Sequence, residues 1–444
     1  MLRHYQLILI YKPRIFGTTA FSIMLRLYLL FCFVALAIGG RSPNADYIEE
    51  LLQTTDLGSK VSDNLIEDAL LDVEGLVKKY GYPFEEHHVI TEDGYILTLH
   101  RIPHGRDQNN APGRRPVAFV MHGLFCSSAD FVVMGPGTAL AYILAEAGYD
   151  VWLGNARGNY YSRQHLTLNP NDGKSIYWNF SWDEIGNLDL PAAIDYILTQ
   201  TGQTGLHYLG MSQGTTVFFV MGSLRPDYNK KILSMHALAP VAYLAHYQQF
   251  IFKTLAPHRV ILEAILGELG LKELAPRSPL FTLLGLTVCS DDSIYQPLCS
   301  AAIFYLGGWN PSQHNATMFP VKFGHTPAGS SVRQLVHYGQ SIVEGTFQRY
   351  DHGSIRNLIV YGTPIPPNYD LSQLNAPVYL HYSLRDPFAP LEDVERLYKE
   401  LGGPVYKVQV SEPTFSHIDF MWGKNAKEVV FDKAIAIMKS YDDS

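Results

Sequence analysis

The stretch LHYLGMSQGTTVFFVMGSL, residues 206–224, predicts the fold of the chain around it. Its first five residues form an apolar run typical of a buried strand, and the residues after Gly214 form an apolar run of helical length. Between the two runs lies Gly-x-Ser-x-Gly, with Ser212 at its centre. A strand, a sharp turn at a serine and a helix together are typical of a nucleophile held at the end of a parallel strand. We therefore interpret Ser212 as a nucleophile, although the five-residue motif alone also arises by chance.

Similar apolar runs recur along the chain and alternate with helical patterns. The predicted strands cover residues 117–121, 150–153, 206–210, 232–238, 378–382 and 405–410, and the predicted helices include 138–147, 188–199 and 214–224. Strands that are apolar on both faces are typical of a parallel sheet covered by helices. The alternation therefore predicts an open α/β sheet. Ahead of it, HHVIT and YILTLHRI flank an Asp-Gly turn and predict a pair of strands.

The alternation stops between about residues 243 and 371. Amphipathic helical segments, a loop with two cysteines and proline-rich turns replace it there. A stretch of this length inside a sheet domain predicts an inserted, mainly helical cap. The core of the domain is then residues 76–242 and 372–444, the cap is residues 243–371, and residues 41–75 are a polar leader with scattered leucines.

The N-terminal residues predict a targeting signal. Residues 27–38 (LYLLFCFVALAI) are uncharged and apolar, and they follow Arg26. This run is too short to span a bilayer comfortably and suits a secretory signal peptide cleaved after residue 39 or 40. We assign residues 1–40 to the signal, with Met24 as an alternative start and an uncleaved anchor as the competing hypothesis. After the signal is cleaved, no run approaches the length of a membrane helix.

Composition and cysteine number restrict the class of protein. With 17% charged residues and a formal net charge of -8, the chain is typical of a globular protein and has no basic surface for nucleic acid. Removal of the signal with Cys32 leaves three cysteines, which in an oxidising compartment predicts one disulfide and one thiol. Cys289 and Cys299, ten positions apart in a loop-rich stretch, are the natural pair, and Cys126 is then the thiol, which we expect to be buried.

Two further sequence motifs suit a secreted chain. Asn179 and Asn315 each begin an Asn-x-Ser/Thr sequon, so both are candidate glycosylation sites.

A serine nucleophile needs an acid and then a histidine base further along the chain. His417, in FSHIDFMWG, follows the last predicted strand and precedes the terminal helix, which is the position of such a base. Asp386 directly follows the strand VYLHY and is the candidate acid, although an aspartate there also suits a helix or turn cap. Asp393 lies in the middle of a predicted helix and Asp419 is close to His417 in sequence, so both are weaker candidates.

The segment VMHGLFCSS, after the strand at residues 117–121, predicts a loop that stabilises an oxyanion. The backbone N–H groups of Leu124 and of Gln213, the residue after the nucleophile, are the candidate donors. We expect His122 to brace this loop rather than to transfer a proton.

These motifs together resemble the acid lipase family of α/β-hydrolases, which includes gastric and lysosomal acid lipases, and most closely its insect members. The resemblance covers nearly the whole chain after the signal. It is carried by TEDGYILTLHRIPHG, MHGLFCSSADFV, YDVWLGNARGNYYSRQH, WNFSWDEIGNLDLPAAIDYI, GMSQGTT, ALAPVAYLAH, HTPAGSSVRQLVHYGQ and SHIDFMWG.

The resemblance implies a role for each candidate residue. Ser212 becomes the nucleophile, Asp386 the acid and His417 the base, with Leu124 and Gln213 as oxyanion donors. The pair Cys289 and Cys299 resembles the family's cap disulfide. No metal or organic cofactor is implied.

Two positions depart from the family's pattern. The family usually has histidine at Met211, and it commonly has Gly-Gly-x-Asp where this chain has Ser383-Leu384-Arg385-Asp386. Because methionine is flexible and apolar, we expect Met211 to pack beneath the nucleophile, and activity not to need a histidine there. Arg385 would lower the pKa of the acid if its guanidinium pointed inward, but we expect it to face solvent.

The resemblance implies hydrolysis of the esters of neutral lipids, triacylglycerols or sterol esters, at a lipid–water interface. It further implies a monomer that is secreted or, alternatively, lysosomal. Two other functions stay open. One is a lipid-binding protein on the same scaffold without catalysis. The other is an esterase for short, soluble substrates, which the large apolar cap disfavours.

Overall fold

The structure is a computed structural model, and it describes residues 61–173 and 175–442. The predicted signal peptide at residues 1–40, its alternative start at Met24 and most of the predicted leader lie outside the described residues. Within the described residues, no helix combines the length and the apolar character needed to cross a membrane.

A mixed sheet forms the centre of the molecule. Its strands are β1 (Glu85–Ile90), β2 (Tyr95–Ile102), β3 (Val117–Met121), β4 (Asp150–Leu153), β5 (Gln164–His165), β6 (Leu206–Met211), β7 (Ile232–Leu238), β10 (Val378–Tyr382) and β11 (Val405–Gln409), and a separate pair is β8 (Glu273–Leu274) with β9 (Ser330–Ser331). The order across the sheet is β1-β2-β4-β3-β6-β7-β10-β11, and β5 pairs with β2. The strands from β4 to β11 in this order pair in parallel, whereas β1 and β2 form an antiparallel hairpin joined antiparallel to β4.

Helices flank the sheet and fill the stretch between β7 and β10. They are α1 (Asp63–Leu70), α2 (Val73–Lys79), α3 (Leu140–Glu146), α4 (Trp182–Glu184), α5 (Leu190–Thr201), α6 (Gln213–Leu224), α7 (Phe250–Leu255), α8 (Arg259–Glu268), α9 (Pro279–Thr287), α10 (Gln296–Gly307), α11 (Phe319–His325), α12 (Val332–Glu344), α13 (Ser354–Tyr361), α14 (Leu391–Glu400), α15 (Asp419–Trp422) and α16 (Asp432–Asp442). A π-helical turn, Ile185–Asp189, joins α4 to α5. The predicted strands and helices of the core are therefore confirmed within about two residues.

The two faces of the sheet each pack against helices. Along β3, Phe119 and Met121 belong to one apolar cluster, and Ala118 and Val120 belong to the other. The first cluster includes residues of α5 and α6, and the second includes residues of α3 and α16. Because successive side chains of a strand point to opposite faces, a continuous apolar run serves both clusters at once. This is the α/β fold with helices on both faces that the sequence predicts.

The stretch from β7 to β10 is helical apart from the short β8–β9 pair. Cys289 and Cys299 form a disulfide there, which joins the end of α9 to α10, with a Cα–Cα distance of 5.7 Å. Helix α1, from the predicted leader, packs against α11 of this stretch. These features support a cap, and its bounds at residues 243–371 stay our proposal.

A buried arginine connects three loops at one edge of the core. Arg157, which is 1% exposed, bonds Asp189 through Nε and Oδ1 at 2.7 Å and Asp93 through Nη2 and Oδ1 at 2.9 Å. Its guanidinium also lies 4.0 Å from the ring centre of Tyr95. Asp93 stands in the turn of the β1–β2 hairpin, Arg157 follows β4, and Asp189 precedes α5. The ion cluster therefore fixes the relative positions of these segments.

We expect Arg157→Ala to lower the free energy of unfolding by about 3–5 kcal/mol, because it leaves two partly or fully buried carboxylates without their cation. Denaturant unfolding followed by circular dichroism measures this change. As a control, Lys230→Ala removes an ion pair with Asp227 in which both side chains are exposed, and it should leave stability unchanged. Equal effects of the two substitutions would contradict a structural role for the buried cluster.

Three buried histidines form a hydrogen-bonded chain through the sheet. His207 Nδ1 lies 2.7 Å from Ser234 Oγ, which lies 3.0 Å from His236 Nε2, and His236 Nδ1 lies 3.1 Å from His381 Nε2. Burial in β10 lowers the pKa of His381 to about 3, and burial also holds the pKa of His236 well below its usual value. Both imidazoles are therefore neutral in the folded protein at pH values where an unfolded chain would protonate them.

This shift makes stability depend on pH. An unfolded histidine protonates below about pH 6.5, whereas His381 stays neutral in the folded protein. At pH 5 this difference lowers the free energy of unfolding by about 2 kcal/mol through this residue alone. Buried aspartates with a raised pKa stabilise the folded protein as the pH falls. The contribution of His381 is therefore measured by comparing the pH dependence of the unfolding free energy between variants. We expect His381→Gln to lose less unfolding free energy than the wild type between pH 7 and pH 5. His258→Gln, at an exposed position, should keep the wild-type dependence. Identical pH dependence in all three proteins would contradict the assignment.

Candidate active site

The turn at Ser212 has the strained backbone of a nucleophile elbow. Ser212 lies between β6 and α6 with φ 52° and ψ −115°, in a region that a residue with a side chain rarely adopts. A Cβ atom at Gly214 would lie 2.3 Å from the carbonyl oxygen of Met121, and one at Gly210 would lie 2.6 Å from that of Gly214. Both glycines of the motif are therefore required, because strand and helix backbones approach too closely for any side chain.

The three predicted triad residues come together at the carboxyl ends of the parallel strands. His417 Nε2 lies 2.8 Å from Ser212 Oγ, and His417 Nδ1 lies 2.8 Å from Asp386 Oδ2. Asp386 also accepts the backbone N–H groups of Phe388 and Ala389, at 2.8 and 3.1 Å. An Nδ1–H donated to the carboxylate leaves Nε2 as the acceptor for the serine hydroxyl. The geometry matches that of a serine, its base and an orienting acid.

The weaker acid candidates bond other groups. Asp393 in α14 accepts the N–H of His246 and lies 2.8 Å from its Nδ1, whereas Asp419 accepts the N–H of Ser416 at 2.7 Å. Arg385, next to Asp386, is exposed, as expected from the sequence.

Met211 lies beneath the nucleophile and packs in an apolar cluster. Its side chain is 3% exposed and belongs to the cluster of β3 and α3. This environment confirms that Met211 is a packing residue, and the effect of a histidine at this position on activity stays a prediction.

The loop after β3 lies directly against the nucleophile. A Cβ at Gly123 would lie 3.3 Å from Ser212 Cβ, so the loop backbone passes beside the serine. Within the part of the chain that the structure describes, the backbone N–H groups of Leu124 and Gln213 donate to no protein acceptor. They are therefore available to a ligand, and their role as oxyanion donors stays a prediction.

His122 braces this loop in a single tautomer. Its Nε2 accepts the N–H of Ala156 and the Nδ2 of Asn159, both at 3.1 Å, so its Nδ1 carries the hydrogen and donates to the carbonyl of Gly123 at 2.7 Å. Burial lowers the pKa of His122 to about 4, which keeps the imidazole neutral. These bonds give His122 the bracing role that we expect from its place in the sequence.

Asp130 is a further residue of this loop that sequence reasoning missed. Its Oδ2 accepts the N–H of Ser127 at 2.8 Å, and its Oδ1 accepts the hydroxyl of Thr326 at 2.7 Å, before β9. Burial raises the pKa of Asp130 to about 6. The spacing Ser127-x-x-Asp130 is that of a capping box and was the available signal. The adjacent Cys126 is a thiol that is partly rather than fully buried, with a pKa that burial raises well above its usual value.

Two other contacts at the site had no sequence signal. The side chain of Gln213 donates through Nε2 to Gln334 Oε1 of α12 at 2.7 Å, and both residues are buried. The ring of Phe388 lies 4.5 Å from that of His417, at an angle of 32°. The first contact restricts Gln213, next to the nucleophile, and the second restricts the ring of His417 itself.

The candidate glycosylation sites differ in exposure. Asn179 is exposed just before α4, whereas Asn315 is half-buried before α11. Their modification stays a prediction.

Comparison with known proteins agrees with this geometry. The family described as "Partial alpha/beta-hydrolase lipase region" matches residues 73–135, and "alpha/beta hydrolase fold" matches residues 117–257. The chain is 41% identical to Lipase 1 of Drosophila melanogaster over 84% of this chain and 81% of that protein. It is 42% identical to Lipase 3 of the same organism, over 82% and 91%. It is 38% identical to gastric triacylglycerol lipase of Bos taurus, over 84% and 92%. The chain therefore belongs to the acid lipase family of α/β-hydrolases.

Proposed function

We propose that this protein hydrolyses the carboxylic esters of neutral lipids through an acyl-enzyme formed on Ser212. The observation that carries the proposal is the continuous hydrogen-bonded chain from Ser212 through His417 to Asp386. A chain of this kind activates a serine hydroxyl toward a carbonyl carbon.

The reaction uses the proton positions that the geometry supplies. His417 Nε2 accepts the proton of Ser212 as Oγ attacks the ester carbonyl, and Asp386 stabilises the imidazolium that forms. The N–H groups of Leu124 and Gln213 stabilise the tetrahedral oxyanion. The imidazolium then protonates the leaving alcohol, and water deprotonated by His417 releases the fatty acid from Ser212.

We propose triacylglycerols as the substrate class, with sterol esters as the alternative. The relative from Bos taurus is named a gastric triacylglycerol lipase, and the two insect relatives are named lipases. The apolar helical stretch between β7 and β10 suits long acyl chains. We further propose that the protein is secreted and acts as a monomer at a lipid–water interface, with a lysosomal location as the alternative.

A lipid-binding protein without catalysis is the weaker proposal. Binding alone requires neither a strained serine nor an imidazole held between a carboxylate and a hydroxyl, and both features cost stability.

We expect Ser212→Ala to reduce hydrolysis of emulsified triacylglycerol by at least about 10⁴-fold, because no other group takes the place of the attacking oxygen. Fatty-acid release in a pH-stat measures the rate, and circular dichroism checks the fold. Ser223→Ala, at a partly exposed position of the same helix, is the matched control and should keep wild-type activity. A Ser212→Ala protein that retains activity would rule out the proposed nucleophile.

The substrate class is tested by a panel of esters with purified protein. We expect long-chain triacylglycerols to be hydrolysed faster than nitrophenyl acetate, because acyl chains bury more apolar surface as they lengthen. Cholesteryl oleate, assayed in parallel from acid to neutral pH, distinguishes the sterol ester alternative. A preference for short, soluble esters would instead identify an esterase.

A further inference from the structure

The loop that carries His417 is bonded directly to the helical stretch between β7 and β10. We call residues 415–419 the histidine loop and residues 307–310, at the end of α10, the glycine turn. Ser416 Oγ donates to the carbonyl of Gly307 at 2.8 Å, and Asn310 Nδ2 donates to Asp419 Oδ2 at 2.7 Å. Ser416, just before His417, and Asp419, two positions after it, therefore both bond the glycine turn.

The fit between the two segments is close. A Cβ at Gly308, which has φ +96°, would lie 1.7 Å from Ser416 Oγ, and one at Gly307 would lie 2.5 Å from Ile418 Cγ2. Only glycines allow the turn to approach the loop to this distance. Ser416 Oγ also lies 3.2 Å from the carbonyl oxygen of Arg385, in the loop that holds Asp386.

Asn310 and Asp419 form the buried centre of this contact. Asn310 is 1% exposed and Asp419 is 5% exposed. The amide of Asn310 has one orientation, because its Oδ1 accepts the hydroxyl of Ser312 at 2.7 Å while its Nδ2 donates to Asp419. The same Oδ2 of Asp419 accepts the N–H of Ser416, next to His417, at 2.7 Å.

The charged groups that act on Asp419 come from two other elements. Lys322 of α11 is buried and favours the charged form of Asp419, whereas Asp386 opposes it, and burial raises the pKa of Asp419 to about 6. Lys424 in turn acts on Lys322. A hydrogen bond to a buried carboxylate is stronger than one between neutral groups, so losing Asn310 weakens an anchor of the histidine loop.

We propose that Asn310 is a positioning residue for the reaction: through Asp419 and Ser416 it holds His417 in line with Ser212. The stretch between β7 and β10 thereby helps to control the position of the base. This inference rests on the proposed serine mechanism.

The first test compares two Asn–Asp pairs in which the asparagine is buried; Asp419 is buried as well, whereas Asp351 is half-buried. Asn310→Ala removes the bond to Asp419. Asn357→Ala removes the bond used for comparison: Asn357 of α13 is 1% exposed, and its Nδ2 lies 2.6 Å from Oδ1 of Asp351 in the preceding loop. We expect Asn310→Ala to slow labelling by a fluorophosphonate, and to lower kcat for a soluble nitrophenyl ester, by about tenfold with KM little changed, because a small displacement of a base costs this much rate. Asn357→Ala should stay within about twofold of the wild type in both assays. Thermal unfolding of both variants shows the loss of stability that they share.

The second test uses Asn310→Asp and does not depend on a comparison of stability. Two carboxyl groups at this distance share one proton, so the pair is bonded only below a raised pKa. We expect the ratio of Asn310→Asp activity to wild-type activity to be highest near pH 5 and to fall about tenfold by pH 8, reversibly in one sample. The ratio for Asn357→Asp should not vary in this way.

The outcomes separate the two proposals. If the fluorophosphonate labels neither the wild type nor Ser212→Ala, the serine mechanism fails and the positioning role fails with it. If the wild type is labelled at Ser212 and Asn310→Ala reacts as fast as Asn357→Ala, the positioning role alone is overturned. A pH-independent activity ratio for Asn310→Asp would also overturn it.

Discussion

The close approach of helix α6 to strand β3 is the constraint on which the site depends. Gly214 lies so near the carbonyl of Met121 that a Cβ would stand 2.3 Å from it. Ser212, two residues before Gly214, has a positive φ of 52°, and the loop after β3 passes beside it. Ser212 and Asp386 precede His417 by 205 and 31 positions in the chain. They meet it because the parallel strands end at one edge of the sheet. The turn at Ser212, the loop after β3 and the hydrogen-bonded chain from Ser212 to Asp386 therefore meet at this edge of the sheet.

The sequence predicts the parts of the structure that local pattern determines. Strands β3, β4, β7 and β10 appear as mainly apolar runs, since both of their faces are buried, and the polar residues that β7 and β10 do contain, Ser234, His236 and His381, bond one another. Asp386 is found because it follows such a strand, and His417 because it lies between the last predicted strand and the terminal helix. The two-residue strands β5, β8 and β9 carry no pattern of their own. Asp130 has a local signal in its capping box, but Gln334 and Asn310 have none, because their partners lie 121 and 109 positions away in sequence.

Burial acts on the ionisable groups around the site in one consistent way. It raises the pKa of the carboxyl groups of Asp130 and Asp419 to about 6 and lowers the pKa of the imidazole of His122 to about 4. Each shift favours the neutral form, because a charge removed from water loses its solvation. The hydrogen bonds that compensate are directional, so each buried group permits a single arrangement of its loop. The buried polar groups thereby fix the positions of loops that apolar packing alone, being non-directional, would not fix.

These directional bonds also explain how the stretch between β7 and β10 relates to the sheet. Thr326 of this stretch bonds Asp130 in the loop after β3, Gln334 bonds Gln213 next to Ser212, and Asn310 bonds Asp419 of the histidine loop. The loop of Asp386 is tied to it as well, because Pro387 accepts the N–H of Gln248 at 3.2 Å. A segment that only excluded water would need apolar contacts alone. Since every loop with a reacting group is bonded to this segment, its position and the geometry of the site are one structural property.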